Sequence, residues 1–332
     1  MSTAVLPGLE VPDQVLEAEM RERLGEVESA LASAVRQEPG MLGETSGYLL
    51  AAGGKRFRPM LVLSSGHFGD PADPRLIPGA VAVELVHLAT LYHDDVIDQA
   101  SARRGIPSAN ARWDNTVAIL TGDFLFARAS EIISDVGNEP TRLIAHAIAT
   151  VCDGQIREVT SEGRLDRTVD QYMGTIARKT SALTAASCRL GGVLSGAPER
   201  LLGVLEEFGD ELGTAFQLSD DIMDITATNE ALGKEPGADL RGGVYTLPVL
   251  DALARDGGEL AALLSGEPLE GERFQRALHI VRSNGSIARS REVVSATVDR
   301  ALELAGRLPE CPARGALEHL SRFLATRCGA SA

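Results

Sequence analysis

The run "LIPGAVAVELVHLATLYHDD" (76–95) restricts the fold more than any other feature of the chain. Its side chains are apolar on almost every bearing of a helix. Such a helix cannot lie on a surface and must be enclosed by other elements. It ends in three carboxylates, Asp94, Asp95 and Asp98, with Arg103 and Arg104 close behind. Crowded carboxylates repel one another and resist desolvation, so this end of a buried helix must meet a counter-charge.

The material available to enclose it is helical nearly throughout. "DQVLEAEMRERLGEVESALASAVR" (13–36) is amphipathic at helical spacing. "NTVAILTGDFLFARASEIIS", "TRLIAHAIATVCDGQIREVTSEG", "RTVDQYMGTIARKTSALTAASCRLGGVLSG", "RLLGVLEEFGDELGTAFQLSDDIMDI" and "LPVLDALARD" continue the series. Period-2 segments are absent, aromatic residues are only 4%, and breaks fall at Gly and Pro clusters too short to be interdomain linkers. The pattern predicts one all-α domain over 1–332, with an N-terminal helix within 1–40 and its most loop-like stretch at 255–272.

The acidic spacing recurs. Asp94 and Asp98 share one helical face, with Asp95 about 100° round. "FQLSDDIMDI" repeats DDxxD with Asp220, Asp221 and Asp224. If the two helices face each other, the carboxylates converge on one cavity. Hard divalent cations are the natural counter-charge there, and Mg²⁺ takes one or two carboxylates together with substrate phosphates. Basic residues are spaced to meet such phosphates: Lys55, Arg56 and Arg58 after a glycine pair, Arg103 and Arg104, Lys179 beside Thr180, and Lys234.

Composition excludes other classes. The chain carries 32 Lys+Arg against 47 Asp+Glu, a formal net charge of −15, which argues against general nucleic-acid binding. An anionic substrate stays open, because bound cations invert the sign of a site. Cys152, Cys188, Cys311 and Cys328 form no CxxC pair, as expected of free thiols in a reducing cytoplasm. The N-terminus lacks the pattern of a signal peptide, and no long uncharged apolar run suggests a spanning helix.

In order along the chain, "GGKRFRP", "HLATLYHDDVID" with "RRG", "GDFLFARA", "KTSAL", "FQLSDDIMDI", "GKEPGADLRGG" and "TLP" resemble the trans-isoprenyl diphosphate synthases, the polyprenyl synthetase family. The resemblance runs from about residue 40 to about residue 250. It implies an all-α isoprenoid synthase bundle of ten or more helices around a deep central cavity, usually a homodimer. It implies a prenyltransferase that condenses isopentenyl diphosphate head-to-tail onto an allylic diphosphate. Asp94, Asp95, Asp98, Asp220, Asp221 and Asp224 would hold Mg²⁺, three ions per site. Lys179, Thr180, Gln217, Lys234 and Arg103 would contact the allylic substrate, and Lys55, Arg58, His87 and Arg104 the isopentenyl diphosphate. His87 stands two helical turns before Asp94 on the same face, whereas His93 lies about 100° off and is a packing residue. One departure is "GGVYTLP", where Val244 and Tyr245 replace a basic residue common in the family.

The chemistry needs no protein nucleophile, and no Ser/His/Asp or Cys/His arrangement is evident. Metal-bound diphosphate leaves, an apolar cavity keeps water from the carbocation, and the second substrate's double bond attacks. In the family, bulky residues four and five positions before the first Asp close the product tunnel. Here they are Thr90 and Ala89, with Val86 one turn deeper, and none is aromatic. The expectation is a long chain of about seven to ten isoprene units, which needs a deep apolar cavity, of the kind used for a quinone side chain. Alternatives are a geranylgeranyl diphosphate synthase, the catalytic subunit of a heteromeric synthase, and a class I terpene cyclase. The cyclase would lack the second DDxxD and "GGKRFRP". A Mg²⁺-dependent phosphohydrolase would need an α/β pattern that this chain lacks. Lipid products suggest transient membrane-surface contact for release, although no basic amphipathic helix marks a docking face.

Overall fold

The computed structural model describes residues 13–36, 40–226, 236–255, 258–266 and 268–330. The described chain is helical almost throughout, as its periodicity predicts, and it divides into two compact units.

The first unit comprises the described parts of Met1–Ile148, Leu183–Gly209 and Ala305–His319. Its main helices are α1 (Gln14–Arg36), α2 (Met41–Ala51), α3 (Phe57–Gly66), α4 (Leu76–Ile97), the four-residue α5 (Ala109–Arg112) and α6 (Asn115–Val136). Asp13 starts α1 by accepting from the amides of Val15 and Leu16, each at 2.9 Å. Asp114 caps α6 through the Val117 amide at 2.8 Å, satisfying donors that a helix N-terminus leaves open.

The 76–95 run forms α4, which packs against α1, α3 and α6. Val83, Leu85, Val86, Leu88, Ala89 and Tyr92 are fully buried. Among the described residues α4 is the one helix long and apolar enough to cross a membrane, and the core already encloses most of it. Two glycines set the packing distance around it. A Cβ at Gly122 of α6 would lie 2.3 Å from His93 Nε2, and one at Gly79 would lie 2.3 Å from Leu194 Cδ1.

The second unit comprises Ala149–Ala182, Asp210–Leu304 and the described part of Leu320–Ala332. It takes residues from α7 (Asn138–Val159), α8 (Val169–Ile176), a single π-helical turn (Ala177–Ser181) and α10 (Glu199–Thr226). α9 (Ala182–Leu194) lies almost wholly in the first unit. There follow α11 (Ala238–Arg241), α12 (Leu247–Arg255), α13 (Glu259–Leu264), α14 (Gly271–Ser283), α15 (Ser286–Gly306) and α16 (Pro312–Arg327). Thr168 and Gln171 form a reciprocal capping box at the start of α8.

The stretch expected to be a loop at 255–272 contains α13. Its "ELAALL" run buries Leu260 completely, and Glu259 pairs with Arg276 of α14 at 2.6 Å. Local apolar content overrode the glycine breaks. Among the described residues, strand is confined to a hairpin, Ala102–Arg103 against Ile106–Pro107, turned by Arg104 (φ 53°) and Gly105 (φ 78°). All four cysteines are free thiols.

The contact between α3 and α9 can be tested at Gly191. A Cβ there would stand 2.2 Å from the Val62 carbonyl oxygen and 2.8 Å from Ser65 Cβ. Gly191→Ala should therefore cost about 1–3 kcal/mol of overpacking strain despite alanine's better helix propensity, read as a lowered urea midpoint at unchanged slope.

Candidate functional site

α4 places its polar residues along one stripe. Glu84, His87, Asp94, Asp95 and Asp98 fall within an arc of about 100° on a helix otherwise apolar all round, and Glu84 to Asp95 spans about 16 Å along the axis. The two ends of the stripe differ in charge.

At the Glu84 end the surplus is positive. Glu84 is buried and accepts from Arg56 Nη1 at 3.0 Å. Burial raises its pKa, while Arg56, Arg58 and Arg104 lower it. Arg56 also reaches Glu28 Oε1 at 2.5 Å and is itself buried. Burial lowers the Arg58 pKa, and its Nε has no hydrogen-bond partner among the described residues. Arg104 donates to the carbonyls of Leu49, at 2.8 Å, and Gly53. Gly54 is needed here, because a Cβ would lie 2.5 Å from Arg56 Nη1 and 3.1 Å from Arg104 Nη2. Lys55 is exposed at the rim. Of the three positive-φ residues other than glycine among the described residues, two are Arg56 and Arg104, a cost tolerated where side-chain placement compensates for it.

His87 is half-buried, and its pKa is driven well below 6.5, first by burial and then by Arg58, Arg104, Arg56 and Arg103. Its imidazole is therefore neutral and can give or accept one hydrogen bond without adding charge. Three guanidiniums around one buried carboxylate favour an anion with several oxygens.

At the other end, Asp95 is buried, Asp94 half-buried and Asp98 exposed. Asp95 Oδ1 accepts from Arg103 Nε at 2.7 Å, while Oδ2 is shut off from solvent and has no hydrogen-bond partner among the described residues. Burial raises the Asp95 pKa, against Arg103. The hairpin explains why adjacent arginines part company: Arg103 ends a strand facing Asp95, and Arg104 occupies the two-residue turn. His93 packs as expected, with Nε2 3.1 Å from the Ile119 carbonyl and its ring 5.6 Å from that of Phe126.

The second unit carries the other acidic set on α10. Asp221 is buried, and burial followed by repulsion from Asp239 pushes its pKa up to about 8. Tyr172 donates to its Oδ2, and Gln217 Nε2 donates to its Oδ1 at 2.8 Å. Gln217 Oε1 in turn accepts from Thr180 Oγ1 at 2.8 Å. One hydrogen-bonded chain thus joins three residues expected from the sequence and adds Tyr172. Asp224 accepts from the Asp239 amide at 3.3 Å. Arg327 of α16 pairs with Asp220 and lies 5.2 Å from the Phe216 ring centroid. Lys179 and Thr180 sit in the π turn, a distortion that often marks functional positions. Lys179 pairs with Glu158 of α7. Lys234 lies outside the described residues.

Sequence reasoning missed Glu84, Glu158, Tyr172, Asp239 and Arg327. Glu84 had a signal, a lone carboxylate inside an apolar run. Asp239 stood in a motif already noted, "GKEPGADLRGG". Glu158, Tyr172 and Arg327 had none.

Among the described residues no three carboxylate, imidazole or thiol groups converge as an all-protein metal cage. The donor set still fits Mg²⁺ bridged by a diphosphate, which asks for one or two carboxylates per ion. The partnerless Asp95 Oδ2 is a ready oxygen ligand.

Residues 39–281 match the family model described as polyprenyl synthetase. The chain is 39% identical to nonaprenyl diphosphate synthase of Mycobacterium tuberculosis, over 98% of each. It is 41% identical to heptaprenyl diphosphate synthase component 2 of Geobacillus stearothermophilus, over 92% of this chain and 95% of that one. A geranylgeranyl pyrophosphate synthase of Corynebacterium glutamicum, solved with calcium and isoprenyl diphosphate, superposes with a TM-score of 0.85 at 38% identity. That match covers 96% of this chain and 99% of that one.

The neutral His87 has a consequence for stability. Unfolded, it takes up a proton below about pH 6.5; folded, among arginines, it does not. The unfolded state binds more protons, so stability should fall as the pH drops below about 6.5, by up to about 1.4 kcal/mol per pH unit. His87→Gln should remove that part of the slope, measured as urea midpoints between pH 7.5 and 5.

Proposed function

We propose, on the premise that this chain belongs to the polyprenyl synthetase family and is a prenyltransferase, that it extends an allylic diphosphate with isopentenyl diphosphate to a long all-trans polyprenyl diphosphate. The observation carrying the proposal is the α4 stripe, with an arginine-rich pocket around Glu84 and His87 and a carboxylate set about 16 Å along the same helix.

Arg58, Arg104, Lys55 and neutral His87 would bind the isopentenyl diphosphate, with Glu84 and Arg56 holding the guanidiniums in place. Asp94, Asp95 and Asp98, together with Asp220, Asp221 and Asp224, would present oxygen ligands to the allylic diphosphate. Bound Mg²⁺, three ions in this proposal, would neutralise that leaving group and promote C–O ionisation. Lys179, Thr180, Gln217, Arg103 and Lys234 would contact the same diphosphate. The Thr180–Gln217–Asp221–Tyr172 chain supports this by fixing Gln217 and Asp221 in one orientation. The departing diphosphate would accept the final proton.

Support for a long product comes from the nonaprenyl and heptaprenyl relatives and from α4 itself. Thr90 lies about 40° from the Asp94 bearing and is partly exposed, with its hydroxyl on the His87 carbonyl at 2.7 Å. Val86 and Ala89 are fully enclosed by protein. Thr90 is therefore the position where bulk would meet a growing chain, whereas bulk at Ala89 would first strain the core. A geranylgeranyl product is the second possibility, favoured by the name of the Corynebacterium neighbour. We further propose that 1–332 works as one all-α domain, as a cytoplasmic homodimer that touches the membrane surface transiently to release product. In the alternative assembly it is the catalytic half of a two-component enzyme, as the name of the Geobacillus relative suggests.

Purified protein incubated with labelled isopentenyl diphosphate, farnesyl diphosphate and Mg²⁺ should yield a product of about seven to ten isoprene units, a range that includes the heptaprenyl and nonaprenyl names. A product stopping at geranylgeranyl length would overturn the long-chain proposal in favour of the second. Inactivity of folded protein, restored by a partner subunit, would identify the two-component form.

Thr90→Phe should shorten the product by two or more units (an order-of-magnitude expectation from filling part of an apolar cavity) with little loss of folding. Ala89→Phe should cost about 1–3 kcal/mol of stability. Product length and urea midpoints for both variants distinguish the two positions.

A further inference from the structure

The amide of Gln155 is a buried polar group that the scheme above does not use. Its Oε1 and Nε2 are both shut off from solvent, and neither has a hydrogen-bond partner among the described residues. A primary amide offers two donors and an acceptor. Leaving all of them unmatched in a protein interior is costly, so such a group calls for an explanation.

The surroundings of Gln155 point toward one. On α7, Gly154, Glu158 and Gln155 fall within an arc of about 100°, with Glu158 between the other two. A Cβ at Gly154 would lie 2.4 Å from the Lys179 backbone nitrogen and 2.7 Å from its Cα, so α7 rests directly on the π turn. Glu158 pairs with the Lys179 ammonium. The two α7 residues that touch Lys179 therefore lie on one side of Gln155, with Glu158 the nearer, about 60° from it around the helix. Val151 on the same arc is buried, while Ile156 on the opposite bearing is 63% exposed. Gln155 faces inward, beside the turn that carries Lys179 and Thr180.

We infer that Gln155 is a substrate-binding residue whose amide hydrogen-bonds the allylic diphosphate next to Lys179. This rests on the proposed function, and it adds a neutral contact to that site. A neutral donor suits the position: Glu158 already balances Lys179, and a further cation would meet the lysine at close range. The amide can also accept from the lysine ammonium once the diphosphate draws Lys179 away from Glu158.

The test is direct binding of an allylic S-thiolodiphosphate, which does not ionise, to wild type, Gln155→Leu and Gln155→Glu in the presence of Mg²⁺, followed by calorimetry. Loss of a hydrogen bond to a charged group should weaken binding of the analogue by Gln155→Leu about tenfold to a hundredfold. Isopentenyl diphosphate binding should stay within about twofold, because its proposed contacts lie elsewhere, and ligand-free thermal stability should hold or rise as an unmatched amide is replaced. Gln155→Glu, which adds a negative charge, should weaken analogue binding further. If both variants bind the analogue as wild type does, Gln155 is not a substrate contact and the inference falls. If Gln155→Leu fails to fold, wild-type affinity in Gln155→Glu alone overturns it. Wild type that binds no analogue would overturn the proposed function along with the inference, whereas wild-type binding unaffected by the variants overturns only the inference.

Discussion

One buried carboxylate organises the basic half of the α4 stripe. Glu84 sits in an apolar helix, enclosed by protein, where an isolated charge would be driven to neutrality. Arg56, Arg58 and Arg104 come to it from a strained helix start, the first turn of α3 and a hairpin turn. Two of those backbone conformations, at Arg56 and Arg104, are unfavourable in isolation, and the ion cluster compensates for them. The balance is uneven: three guanidiniums face Glu84, and among the described residues only Arg56 pairs with a second carboxylate, the half-exposed Glu28. Burial, helped by the surplus positive charge, keeps His87 neutral, and that surplus leaves room for a polyanion. Removing Glu84 would release several uncompensated charges at once, which is why breaking a buried ion pair costs far more than the pair is worth.

The second unit holds its buried carboxylate differently. Asp221 is pushed up to about 8 by burial and by Asp239, and two neutral donors, Tyr172 and Gln217, hold it without neutralising it. Neutral donors fix geometry and leave the electrostatic demand for a cation in place. Two of the carboxylates meet arginines, at Asp95–Arg103 and Asp220–Arg327. An acidic site that binds metal only with its substrate has to avoid both extremes, full neutralisation by its own lysines and arginines and unrestrained repulsion.

Much of this was legible in the sequence, and the reason differs by residue. The fold followed from periodicity, because helical spacing is a local property that survives translation into structure. The six aspartates and the arginines of "GGKRFRP" and "RRG" were legible because their spacing is itself local. What could not be read were partners brought in from distant helices. Tyr172 reaches Asp221, Arg327 reaches Asp220, and Glu158 reaches Lys179, and nothing in the local pattern of any of the six announces the pairing. The π turn was equally hidden, since one extra residue in a helical turn leaves composition unchanged. The helix at Glu259–Leu264 was obscured for a different reason, because glycines on both sides outweighed a six-residue apolar run.

The short hairpin after α4 shows how tightly the two ends of the stripe are tied. Arg103 bonds Asp95 in the acidic set, and its neighbour Arg104 belongs to the cluster around Glu84. Residues adjacent in sequence serve sites three turns of helix apart because Arg104 and Gly105 both adopt left-handed backbone, which reverses the chain in two residues. Glycine accepts that conformation freely, whereas arginine does not. The strain at Arg104 is offset by its bonds to the Leu49 and Gly53 carbonyls and by the Glu84 charge. An anion drawing on Arg104 and one drawing on Arg103 therefore pull on the same two-residue turn. The geometry of the basic pocket and of the first carboxylate set is, in this chain, a single mechanical variable.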